Sequence, residues 1–193
     1  MRIMCVVNGY PRAGKDTAVE FMTREANRLG YVVDVMSTID GVREMLAKYG
    51  IDTRRKTPED RKLLASMGEL LEEHSGFRTK SALGRFIGSE PDTILFVHLR
   101  EPALIQKLED RVQKMPGAFF TTVYVERHEA AQQAFSNASD AAASQDGYGY
   151  DTIIPNNGTL GQLYDACAEA MKWIRRNAEA KTRRTDAKTA EAL

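Results

Sequence analysis

The segment Gly9-Tyr10-Pro11-Arg12-Ala13-Gly14-Lys15-Asp16-Thr17 constrains this chain more than any other. It follows Ile3 to Asn8, a short continuous apolar run stopped by Gly9 and Pro11, the pattern of a parallel strand covered on both faces. It leads into Lys15 to Leu29, where Ala18, Phe21, Met22, Ala26 and Leu29 fall near helical spacing and Gly30 supplies the stop. Strand, glycine loop and helix in that order, with Gly9-x4-Gly14-Lys15 as the loop, is Walker A spacing in its proper setting. Consecutive loop amides and a helix N-terminus offer donors to a dense phosphate charge with little reorganisation. Lys15 adds a point charge that can follow the β and γ phosphates, in charge-assisted hydrogen bonds of about 1.5 to 3 kcal/mol each. The expected cofactors are ATP and Mg²⁺, held by Gly9, Arg12, Ala13, Gly14, Lys15, Asp16 and Thr17.

One position departs from the usual pattern. A Ser or Thr hydroxyl commonly follows the lysine and meets the metal, whereas here Asp16 does and Thr17 comes after it. A carboxylate is a hard oxygen donor, so Asp16 is the candidate metal ligand; a helix N-terminal carboxylate without chemical role is the other reading. Arg12 either reaches the γ phosphate or points outward.

The rest of the chain alternates strand and helix signals. Tyr31 to Met36 is β-rich, and Asp40 is placed to cap a helix carrying Val42, Met45, Leu46 and Tyr49. Thr57 precedes Pro58 at a first helical position, with Glu59 and Asp60 in the first turn. Leu63, Leu64, Met67, Leu70 and Leu71 then form an apolar stripe. Thr93 to His98 is a buried strand, and Glu101-Pro102 opens a helix with Leu104, Ile105, Leu108 and Val112. Phe119 to Val125 and Thr152 to Ile154 are two more strands. Thr159 and Gln162 have capping-box spacing before a helix with Leu163, Ala166, Cys167, Ala170, Met171 and Ile174. Such alternation requires crossovers between parallel strands. The fold class expected is α/β: a three-layer P-loop sandwich on a parallel five-stranded sheet. Arg175 to Leu193 lacks an apolar face beyond scattered alanines and reads as a frayed helix end or disordered tail.

At 193 residues, 42% hydrophobic and 28% charged, the chain has enough apolar residues for one continuous core. Lys plus Arg (27) equals Asp plus Glu (27), so net charge gives no support to a polyanionic partner. Cys5 and Cys167 lack metal spacing and read as reduced packing residues in a cytoplasmic protein. No run is long enough for a membrane span, and no membrane partner is expected. The three histidines, His74, His98 and His128, have no metal-ligand spacing. Arg54-Arg55-Lys56 reads as a solvated loop.

Gly14-Lys15-Asp16-Thr17 resembles the variant loop of the phage-type deoxynucleoside monophosphate kinases and the related animal-type phosphomevalonate kinases, in which Gly-Lys-Asp follows the loop. Ser37 to Arg43 is similar to that family's approach to the acceptor region. Arg61 to Phe77 resembles its next helix, ending at Gly76-Phe77, and Thr93 to Arg100 its third strand. Tyr150 to Leu160 resembles its final strand and Asn-Gly turn. The likeness covers about residues 1 to 175. It implies an NMP-kinase-like domain over 1–175, with an acceptor-binding helical region at about 38–90, a lid-like region at about 126–149 and a charged tail at 176–193. It implies ATP on the loop, the base near the Asn156-Asn157-Gly158 turn, with Asn157 and Gly158 as binding residues, and the acceptor across the carboxyl edge of the sheet.

Phosphoryl transfer relies on positioning and positive charge. Beside Lys15, the candidates are Arg100, leaving a buried strand at the edge where such sheets bind ligands, Arg43 in the acceptor segment, and Arg127 after the fourth strand, where lids of the family supply arginine. For Arg100 the other reading is a strand-end salt bridge, and for Arg43 and Arg127 a solvated helix face. Relatives often carry Asp two residues before the strand-end arginine, and this chain has His98-Leu99-Arg100 instead. Asp16 and Asp40 are the nearest replacements. The first functional reading is therefore an ATP-dependent (deoxy)nucleoside monophosphate kinase with a small-molecule acceptor. A same-fold kinase acting on a hydroxymethylated pyrimidine in DNA or on a phosphorylated metabolite stays open, as do an inert nucleotide-binding regulator and a homodimer.

Overall fold

The computed structural model describes residues 1–55, 57–131 and 143–191. Five strands form one sheet: β1 (Arg2–Asn8), β2 (Val32–Ser37), β3 (Thr93–His98), β4 (Ala118–Glu126) and β5 (Thr152–Pro155). Their spatial order is β2-β3-β1-β4-β5, and every pairing is parallel. The α/β class and the layered parallel sheet expected from the alternating runs are therefore what the chain adopts.

The pleat of β1 explains the layers. Ile3, Cys5 and Val7 point to one side, where they pack with Ala18, Val19, Met22 and Ala26 of α1 (Lys15–Arg28). The same cluster takes in Leu163, Cys167, Ala170, Met171 and Ile174 of the last helix. Met4 and Val6 point to the other side, against Ala82 and Phe86 and against Leu104, Ile105, Leu108 and Val112. Alternate residues of one strand serve two cores, which is why β1 reads as a continuous apolar run.

Between β2 and β3 lie α2 (Asp40–Lys48), α3 (Pro58–Ser75) and α4 (Phe77–Ile87). The start of α3 matches its sequence signature: Thr57 Oγ1 accepts from Asp60 N, and Asp60 Oδ2 accepts from Thr57 N. Three expectations here need correction. Asp40 does not cap α2; Ile39 occupies that position, and the Asp40 carboxylate turns back to accept from Ser37 N at 2.6 Å. Leu70 is 60% exposed and leaves the α3 stripe, because Leu64, Gly68 and Glu72 are the buried positions. Helical structure does not end at Gly76-Phe77, because Gly76, with φ of 65°, ends α3 and at once begins α4. A left-handed glycine reads as a stop.

After β3 come α5 (Pro102–Val112), β4 and the short α6 (His128–Ala131). The lid-like stretch of about 126–149 lies in part outside the described residues, at 132–142. Lys56 of the basic triplet also lies outside them, while Arg54 is bonded to Asp52. The final helix α7 (Leu160–Glu191) starts at the Thr159–Gln162 box, with Thr159 N donating to Gln162 Oε1 at 2.8 Å. It does not stop at Ile174: helical backbone continues to Glu191, and Ala178 is fully buried against the core. Small alanines can pack closely against a sheet layer without a broad apolar stripe. No helix of the described residues is long and apolar enough to cross a membrane.

With order β2-β3-β1-β4-β5, the chain leaves β1 toward one side of the sheet and β3 toward the other. The carboxyl ends of β1 and β3 therefore border a topological switch, where open α/β sheets bind ligands.

Candidate active site

The loop after β1 is shaped by close backbone approach. Gly9 has φ of 142°, and a Cβ there would lie 2.5 Å from the carbonyl oxygen of Val125. Gly14, the N-cap of α1, has φ of 89°, and a Cβ there would lie 2.3 Å from Asn156 Nδ2. That amide donates to Ala13 O at 2.8 Å, fastening the loop to the end of β5. Ala13 N closes the turn onto Tyr10 O at 3.1 Å. Arg12 sits at φ of 64° in the left-handed region that non-glycine residues seldom occupy, and its side chain is exposed. Lys15 Nζ donates to Gly9 O at 2.6 Å and Tyr10 O at 2.7 Å, so its ammonium lies over the loop.

A cleft of about 560 Å³ opens beside the loop at the β1/β3 switch. Arg12, Lys15, Asp16 and Thr17 form one wall, and Ser37, Thr38, Ile39 and Arg43 come from the β2 edge. Arg61, Leu64 and Ala65 of α3 face them, with Arg78, His98, Arg100 and Glu101 below. Six cationic side chains line it against the two carboxylates of Asp16 and Glu101, so the cleft favours an anion. Arg43 is held by Asp40, Nη1 to Oδ1 at 2.8 Å. Arg78, 4% exposed, is held by Glu101 and Thr38. Arg43 and Arg100 are thus brought to one cleft with Lys15.

His98 stands two residues before Arg100, at the end of β3. Its side chain is 20% exposed, and Nε2 is 3.9 Å from Asp16 Oδ1. Burial pushes its pKa below the ordinary value; Asp16 opposes this and Lys15 reinforces it. Asp40 is taken up by Ser37 N and Arg43 and does not line the cleft. Among the described residues no three His, Cys, Asp or Glu side chains converge on a point that could hold a metal. The donor set still fits Mg²⁺ in one form: an ion carried largely by phosphate and water, with the exposed Asp16 carboxylate beside the loop as a protein oxygen.

A second hollow of about 520 Å³ lies across the loop, bordered by Arg127, His128, Asn156, Asn157 and Gly158. It shares Gly14 and Thr17 with the first. Asn157 Oδ1 accepts from His128 N at 2.8 Å, tying the turn after β5 to the start of α6. Arg127 is bonded to Glu129 at 2.8 Å and lies on this side, away from the cleft of Arg43 and Arg100. Arg12, Gly14, Lys15, Asp16, Thr17, Arg43 and Arg100 thus line the cleft and Gly14, Thr17, Arg127, Asn157 and Gly158 the second hollow, whereas Gly9 and Ala13 are buried in the loop and line neither.

Sequence reasoning did not reach Arg61, Arg78 and Glu101, which line the cleft. Arg61 and Arg78 sit in helices whose cleft-facing side depends on how α3 and α4 pack. Asn156 carried a signal, since it stands next to Asn157 and Gly158, but its contact with Ala13 spans 143 positions.

No protein-family model matches the chain, and no curated protein matches it. Among solved structures, an APS kinase from Mycobacterium tuberculosis aligns over 88% of this chain and 96% of its own, at 13% identity and a TM-score of 0.46. A gluconokinase from Sinorhizobium meliloti aligns over 93% and 97%, at 13% identity and a TM-score of 0.49. A dephospho-CoA kinase from Campylobacter jejuni aligns over 90% and 97%, at 16% identity and a TM-score of 0.48.

Proposed function

We propose that this chain is an ATP-dependent phosphotransferase acting on a (deoxy)nucleoside monophosphate. The observation that supports the reading is the pair of hollows sharing Gly14 and Thr17, one of them lined with arginines. A donor lying in the hollow of Asn157 and Gly158, with its phosphates on the loop, would present its γ phosphate to an acceptor in the cleft of Arg43 and Arg100. Transfer breaks the bond from the γ phosphorus to the bridging oxygen and forms one to an acceptor phosphate oxygen. Little covalent help is needed beyond alignment and neutralised charge. Lys15 exchanges the carbonyls of Gly9 and Tyr10 for β and γ oxygens, and Arg100 and Arg43 hold the acceptor. Arg127 stands over the donor side. Asp16 would be the protein oxygen for Mg²⁺, which would supply charge neutralisation when bound. The cleft volume suits a mononucleotide, and Ile39, Leu64 and Ala65 offer apolar surface for a base.

The test is a panel of acceptors with γ-labelled ATP and Mg²⁺: the dNMPs, phosphorylated metabolites, and DNA containing hydroxymethylated pyrimidine. Label on a dNMP is the expected result. Label only on DNA or on a metabolite replaces the acceptor, and ATP consumption with no labelled acceptor overturns the transferase. Lys15→Ala is expected to abolish ATP binding and transfer; survival of both would remove the loop from the mechanism.

A further inference from the structure

The end of β1 carries a side chain that none of these roles uses. Asn8 is fully buried, and its amide joins three segments that are distant in sequence. Asn8 Oδ1 accepts from Gly9 N at 2.7 Å, at the first residue of the phosphate loop. Asn8 Nδ2 donates to the carbonyl oxygen of Arg100 at 3.0 Å and to Tyr150 Oη at 2.5 Å. Tyr150 packs in turn on Tyr124 and Tyr148, with ring centroids 5.0 and 5.5 Å away.

The register of the sheet gives this arrangement its meaning. The pairing of β1 with β3 ends at Val7 opposite His98. Beyond that point Leu99, Arg100 and Glu101 have left the strand, and α5 has not yet begun. A ladder holds backbone only as far as it runs. The Asn8 side chain adds a link beyond its end, through a carboxamide that has two donors and one acceptor oxygen. All three groups are buried or half-buried, so a lost bond is not readily replaced by water.

We infer that Asn8 is a positioning residue, fixing the Arg100 peptide relative to the phosphate loop so that the arginine meets the acceptor in the correct place. For its kinetic consequence this rests on the transferase reading. The physical tether stands apart from it. Misplacing a group near reacting atoms by about 1 Å can cost on the order of 100-fold in rate while leaving remote binding intact. Loss of the tether should therefore appear in kcat and in the acceptor's KM rather than in ATP affinity.

Two variants separate the tether from general packing. Asn8→Ser can still accept from Gly9 N but is too short to reach Arg100. Asn8→Asp keeps the size and the acceptor and, at a pH where its carboxyl is ionised, cannot donate to the Arg100 carbonyl. Backbone ¹⁵N relaxation on the full chain reads the tether directly, and titration with ATP together with steady-state transfer reads its effect. In Asn8→Ser the order parameters of Leu99 to Glu101 are expected to fall from about 0.85 toward about 0.6, with β1 and β4 unchanged. The expected kcat is about 10- to 100-fold lower, with the Kd for ATP within about threefold of wild type. Asn8→Asp should show the same local loosening and serves as the probe if the serine variant does not fold. Unchanged order parameters overturn the inference, as does loosening with unchanged kcat. If wild-type protein transfers no phosphate, the functional reading fails and the order parameters alone decide the tether.

Discussion

Arg78 and Glu101 meet fork to fork, with Nη1 3.1 Å from Oε1 and Nη2 2.8 Å from Oε2. Thr38 Oγ1 accepts from the same Nη2 at 3.1 Å, so α4, the β3–α5 connection and the end of β2 converge on one guanidinium. Buried ion pairs are costly to break from one side, because the remaining charge loses its partner but not its burial. Arg78→Met is expected to lower unfolding free energy by about 1 to 3 kcal/mol in urea titration, because the Glu101 carboxylate it leaves is partly exposed. Glu101→Gln should cost less, since its amide oxygen still accepts from Arg78.

The two loop glycines should respond differently from the glycine after β5. Gly9→Ala and Gly14→Ala each force a left-handed or open φ on a residue with a Cβ and drive that atom into Val125 O or Asn156 Nδ2. Each is expected to cost about 1 to 3 kcal/mol and to weaken ATP binding at least about tenfold by calorimetry. At Gly158 the Cβ would meet Gln162 Oε1, the end of a flexible side chain that can swing aside by giving up its bond from Thr159 N. Gly158→Ala should cost about 1 kcal/mol, the worth of the capping interaction, with the loop undisturbed.

Acid stability should carry the signature of His98. Burial holds its folded pKa below the ordinary 6.5, so between the two values the unfolded chain binds a proton that the folded chain does not. Unfolding free energy therefore rises with pH in that window: the contribution is complete above about 6.5 and is lost as pH falls through the folded value. In His98→Gln the difference in stability between pH 7.5 and pH 5.5, conditions of about one unit either side of 6.5, should shrink measurably in parallel urea titrations.

The cysteines make the opposite prediction at high pH. Both are fully buried, and burial raises both thiols from an ordinary 9.0, Cys167 to about 12. Unfolded thiols lose protons above about pH 9 while the folded ones keep theirs, so stability falls as pH rises beyond 9. Neither thiol should react with a disulfide reagent in native protein at pH 8, and both should react in guanidinium.

Much of this architecture was legible in the sequence because its signals are local. The apolar run of β1, the spacing Gly9-x4-Gly14-Lys15, Thr57 with Asp60 and Thr159 with Gln162 each act within a few residues. Their geometry follows from backbone hydrogen bonding and side-chain period. Failures came where a local sign had two meanings. Gly76 looked like an end and also began α4, Asp40 looked like a cap and turned to Ser37, and the alanines after Arg175 looked unpacked although Ala178 is buried.

The sequence by itself determined that a strand, a phosphate-shaped loop and a helix follow one another, and that alternate faces of β1 must both be covered. Only the tertiary structure decided which cations share a cleft. Lys15, Arg43, Arg78 and Arg100 meet because β3 inserts between β1 and β2, and Arg127 falls on the far side of the loop because β4 lies beyond β1. Hydrophobic period tells a residue which face to bury and carries no record of the strand beside it. That choice comes from summed packing and crossover geometry across the whole chain.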